Sequence, residues 1–162
     1  MLVQLNRHPG QSEFTPTATD LPINPASLPA ARGPAPVVAV VGHPGRVAGL
    51  PQHLPSGWSM RAAACLDDIR PDEIVLLAGA RAPDVTAARA VLPSRTLVVA
   101  LVDEEAPPDA VAGVLTAGAD VCVRGGQPAI LAGHLVAGRR RQLAEKWRRL
   151  DLKDPVSAPP PW

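Results

Sequence analysis

The chain has 162 residues, 46% of them hydrophobic but only 2% aromatic, with a formal net charge of +1. That length favours one domain of ordinary size, its core built from Val, Leu, Ile and Ala. The near-neutral charge excludes a generally nucleic-acid-binding surface and leaves room only for a local basic patch.

Residues 1–35 contain "TPTATDLPINPASLPAARGPAP", with proline every few residues and no periodicity, and read as a Pro-rich disordered arm. The weak alternation at Leu2 to Leu5 is the one piece of it that could pair with a sheet edge. No basic-then-apolar leader opens the chain, and no apolar run approaches the ~20 residues needed to cross a bilayer. A cytoplasmic protein without a membrane partner is the expectation.

From Pro36 the pattern becomes regular. "PVVAVVG" (Pro36 to Gly42) is a continuous apolar run, as expected of a strand buried on both faces. "WSMRAAA" (Trp58 to Ala64) is a weaker strand candidate, while "EIVLLAG" (Glu73 to Gly79) and "TLVVALV" (Thr96 to Val102) are strong ones, and "DVCVRG" (Asp120 to Gly125) is a fifth. Helices are expected between them. Pro83 to Leu92 carries proline in its first turn and stops before Pro93, and Pro107 to Gly118 opens on prolines and closes on glycine. Gln127 to Leu150 is the longest, with Ile130, Leu131, His134, Leu135, Leu143, Trp147 and Leu150 at helical spacing and Gly133 and Gly138 interrupting. The end, "DPVSAPPPW", reads as a second Pro-rich tail. Strands alternating with helices predict an α/β fold, a flavodoxin-like five-stranded parallel sheet with helices on both faces. The domain is expected over 36–141, with a C-terminal helix extension and tail over 142–162.

The first strand ends in "GHPGRV", Gly42 to Val47. A Walker loop would need GxxxxGK and a hydroxyl, and the dinucleotide fingerprint would need GxGxxG. Neither is present, and Pro44 removes an N–H that a phosphate could have used. The loop is expected to turn the chain and no more.

The segment "VLTAGADVCVRGGQPAILAGHLVAGRRR" resembles the last third of response-regulator receiver domains, with its alanine-glycine-alanine-aspartate run into the fifth strand and a helix opening on proline. "RPDEIVLLAGA" resembles their third strand. The resemblance spans about Pro36 to Arg141, specific in the final third and loose around Ala48 to Ala64. It implies a fold and also a chemistry: an aspartyl nucleophile, paired acids holding magnesium, and a hydroxyl and lysine that stabilise the phosphorylated state. At the corresponding positions stand Gly42 and His43 for the acids, Ala78 for the nucleophile, Val102 for the hydroxyl, and Arg124, followed by Gly125, for the lysine and its proline. Asp103, Glu104 and Glu105 follow the fourth strand and could face the strand ends, or form a solvated loop. Asp67, Asp68 and Asp72 are expected at the opposite edge.

Cys65 and Cys122 have no spacing for zinc or a disulfide framework and read as buried free thiols. His8, His43, His53 and His134 lack metal-ligand spacing. His43 could be a ligand contact at the sheet mouth or an idle loop residue; His134 could be a core or an interface residue. Ser56, Ser59 and Ser94 lack the glycine elbow of an acyl-transfer nucleophile. The one basic cluster is Arg139, Arg140, Arg141, Lys146, Arg148 and Arg149. It fits a solvated helix end complementing the dipole, a nucleic-acid backbone contact, or an acidic protein partner.

The sequence therefore predicts a pseudo-receiver that is not an enzyme, takes no cofactor and works by binding a protein partner or a second copy of itself. Its expected face comprises Val111, Leu115, Val123, Leu131, His134 and Leu135, extended by Leu143 and Trp147. The alternatives are a small-ligand or nucleotide sensor using His43, Gly79 and Asp103, and a nucleic-acid accessory using the basic helix.

Overall fold

A computed structural model describes residues 35–151, with side chains to Arg149. Strands β1 (Val37–Gly42), β2 (Ser59–Ala62), β3 (Ile74–Ala78), β4 (Val98–Val102) and β5 (Val121–Arg124) form one sheet in the order β2-β1-β3-β4-β5. Every pairing is parallel, with Gly42 beside Ala78 and Val102 beside Arg124 at the C-terminal edge. This is the flavodoxin-like order, and the sequence in which strands are added to the sheet reverses between β1 and β3. The expected α/β architecture is present, each strand starting or stopping within a few residues of its apolar run. The arm before residue 35, including Leu2 to Leu5, and the tail with Trp162 lie outside the described residues.

Parallel strands must be covered on both faces, and alternate side chains divide the core accordingly. On one face Val38, Val40, Ile74, Leu76 and Leu101 pack under Val47 and Leu50 of the first crossover and under Leu131, Ala132 and Leu135 of the last helix. On the other, Val75, Leu77, Val98, Ala100 and Val102 pack under helix α1 (Ala82–Val91) and helix α2 (Pro108–Thr116), through Val85, Ala88 and Val114. Pro83 and Pro108 sit in the first turns, where the absent N–H has no intrahelical partner to lose. Leu92, extended before Pro93, stops α1. Gly118, at φ +110, lets the chain leave α2 and enter β5.

The first crossover departs from a helical connection. Between β1 and β2 the chain makes two short 3-10 turns, Pro44–Val47 and Leu50–His53. Between β2 and β3 it makes one, Leu66–Asp68. Proline and glycine recur too often over residues 44–57 for longer helix. Polar contacts compensate at this edge. Buried Glu73, just before β3, accepts from Arg61 of β2 through Nε at 2.9 Å and Nη2 at 2.6 Å, and from the Arg70 N–H at 2.9 Å. The Arg61 guanidinium holds the Glu73 carboxyl below its usual value, against the opposing effect of burial.

The last helix, α3, runs unbroken over Pro128–Asp151, straight across the expected boundary at residue 141. Gly138 is where it touches the sheet edge: a Cβ there would lie 2.8 Å from Leu97 Cδ2. A glycine that lowers helix propensity is what permits this close approach.

Candidate functional site

Ligands of open α/β sheets sit outside the C-terminal strand ends, at the point where strand order reverses. Here that mouth is built by the loops after β1, β3 and β4. Gly42 ends β1 at φ +100, and a Cβ on it would lie 2.5 Å from the carbonyl oxygen of Ala78. The His43 N–H donates to that same oxygen at 3.3 Å. Gly79 follows β3 at φ +84; its N–H and that of Ala80 both donate to the Leu101 carbonyl, at 2.8 and 3.0 Å. The N–H groups of His43, Gly79 and Ala80 are thus spent within the fold.

Three side chains gather over this backbone. A Cβ on Gly79 would stand 3.5 Å from both His43 Nδ1 and Arg46 Nη1. The Arg46 guanidinium donates to Oδ1 of Asp103, so one cation from the β1 loop reaches across the end of β3 to the loop after β4. Sequence reading named His43, Gly79 and Asp103 as one cleft, and they do lie together. It missed Arg46, which no motif marks and which only the turn starting at Pro44 brings over Gly79.

The strand ends around this mouth, Gly42, Ala78, Val102 and Arg124, carry no carboxylate. Ala78 is buried at the end of β3 and faces the α3 side of the core. Val102 is buried toward α1 and α2. Gly42 has a backbone conformation that disfavours any carboxylate-bearing residue, and Arg124 is exposed at the end of β5. Of the acids after β4, Asp103 already answers Arg46, and Glu104 packs its stem 3.5 Å from where a Cβ on Gly125 would be. No group of three or more His, Cys, Asp or Glu suited to a metal ion occurs among the described residues.

The alanine-glycine-alanine-aspartate run has a structural task at the opposite edge. Asp120 Oδ2 accepts the Val98 N–H at 2.7 Å and Arg89 Nη2 at 2.6 Å. Arg89 also donates to the carbonyls of Gly118 (2.7 Å) and Thr96 (2.8 Å). One arginine of α1 thereby ties the starts of β4 and β5. Asp67, Asp68 and Asp72 lie at this edge too, as expected, before β3.

The expected interface divides. Val123, Leu131 and Leu135 are core residues, at 5%, 1% and 0% exposure, and cannot meet a partner. Val111 is half-buried against α1 and α2's own cluster, while Leu115, His134, Leu143 and Trp147 are exposed. His134 therefore does not belong to the core. Cys65 is also exposed, because the chain has left the short edge strand β2 by then; Cys122 is half-buried, and burial pushes its thiol up. Arg140, Arg141, Lys146, Arg148 and Arg149 are exposed around α3, and Arg139 is half-buried, its Nη1 donating to Gln142.

No family model matches the chain, and no curated protein matches it. Among solved structures it is similar to the crystal structure of a two-component response regulator from Clostridium difficile, with 14% identity and a TM-score of 0.49, over 66% of this chain and 97% of that one. No helix among the described residues is long and apolar enough to cross a membrane.

Proposed function

We propose that this receiver-like domain is a regulatory module that acts by protein association and is not switched by aspartyl phosphorylation. The observation that carries the reading is the end of β3. Ala78 and Gly79 stand there, and the Arg46–Asp103 pair spans the mouth above them. A phosphoryl acceptor needs a carboxylate oxygen free to attack, with a cation site beside it. Asp103, the acid that reaches across this mouth, is instead engaged by an arginine. The domain is read as non-enzymatic, and its function is assigned to its exposed surfaces. Intact mass after acetyl phosphate and magnesium tests this: no phosphoryl adduct is expected, and a stoichiometric adduct lost on mild alkaline hydrolysis would overturn it.

A second reading, a small-ligand sensor, is favoured by the gathering of His43, Arg46 and Asp103 around Gly79. A thermal-shift screen with nucleotides and anionic metabolites separates the two. A saturable rise in melting temperature that disappears in Arg46→Gln would establish the sensor.

A further inference from the structure

The exposed side of α3 carries a second apolar seam that the other described residues leave open. Its core contacts come from Leu131, Ala132, Leu135 and Gly138. On the opposite face, Gly133, Val136, Arg140, Leu143 and Trp147 follow one another at alternating spacings of three and four, the repeat of a coiled-coil seam. Near the sheet this seam lines an open groove of about 440 Å³ beside His53, at the end of the second 3-10 turn of the first crossover. Further on, Leu143 and Trp147 are 39% and 65% exposed, beyond the last tie to the body, Gln142 Nε2 to the Arg95 carbonyl at 2.6 Å.

Charge decides the occupant. From Arg139 to Arg149 there are six basic residues and one acid, Glu145. Arg139 and Lys146, seven apart, border one edge of the seam, and Arg140 stands inside it. A parallel second copy would set Arg140 against Arg140; an antiparallel one would set the Arg139–Lys146 edge against itself. Like charges at these positions disfavour pairing, and opposite charges select the partner.

We propose that this seam docks an amphipathic α-helix of another protein, apolar along its own seam, with carboxylates flanking it and one carboxylate facing Arg140. The proposal rests on the reading that the domain works by association. It names the partner's chemistry: an acidic helix laid in a groove.

The test uses the full chain and two fluorescently labelled 21-residue designed helical peptides with Leu at the seam positions. One carries Glu at the flanks and at one central seam position, the other Lys at the same places. Anisotropy is expected to show saturable binding of the Glu peptide and none of the Lys peptide. Trp147→Ala and Arg140→Glu should each weaken binding by about tenfold or more, while Arg149→Gln, facing away from the seam, should change it by less than about twofold. Failure of the Glu peptide to bind, equal binding of both peptides, or an Arg149→Gln effect as large as that of Arg140→Glu overturns the proposal. So does a dimer of the chain alone that Trp147→Ala dissociates, or a preference for duplex DNA over the Glu peptide. Each of these leaves the association reading to stand on its own test, whereas phosphorylation of the domain would overturn that reading whatever the peptides do.

Discussion

Gly42 is the residue on which the shape of the sheet mouth turns. At φ +100, with the Ala78 carbonyl 2.5 Å from where its Cβ would be, it can be replaced only by moving β1 away from β3. Gly42→Ala is expected to cost about 2 kcal/mol or more in chemical denaturation, whereas Gly45→Ala, with open space around it, should be nearly silent. The sequence shows a glycine ending a strand, but which atom crowds it depends on the register with β3, which no local pattern carries. Glu73 is a second such residue. Because Arg61 lowers its carboxyl in the folded state, Glu73 stabilises the fold above the ordinary carboxylate value, and that contribution is lost as pH falls through the lowered one. Glu73→Gln should therefore be less stable by about 2–3 kcal/mol at neutral pH. The gap to the parent chain should narrow as urea melts are carried into acid. A gap that widens in acid would mean the pair has been misread.

At the scale of the element, α3 shows what periodicity can and cannot decide. Its spacing marks a long helix, and the helix is there. Its first half is apolar on two faces, so spacing alone does not say which faces the sheet. The choice rests on long-range contacts with the sheet, Gly138 against Leu97 among them. That is why Leu131 and Leu135, expected at an interface, are in the core. Leu135→Ala should cost about 3 kcal/mol through the cavity it leaves. Trp147→Ala, removing an exposed ring, should leave the melting temperature within a degree or two. If Trp147→Ala collapses the domain, the exposed seam does not exist. The first crossover was the least legible element, because short 3-10 turns have neither the length nor the repeat that marks a helix.

Across the whole molecule, the central strands β1, β3 and β4 were legible because both faces of a parallel sheet are buried there, and continuous runs of Val, Leu, Ile and Ala announce that directly. That the strand ends carry no carboxylate was legible as well, once Gly42, Ala78 and Val102 were set on them. The Arg46–Asp103 bridge was not, since it joins residues 57 apart in the chain across three loops. A chain beginning at Gly33 is expected to melt cooperatively, within a few degrees of the full protein, because Pro-rich sequence offers little apolar surface to bury. The claim that this mouth has no phosphoryl chemistry is tested most directly by adding beryllofluoride and magnesium to isotopically labelled protein. The account predicts an unchanged amide spectrum for His43, Ala78, Gly79 and Asp103. Saturable shifts centred on those residues would contradict it.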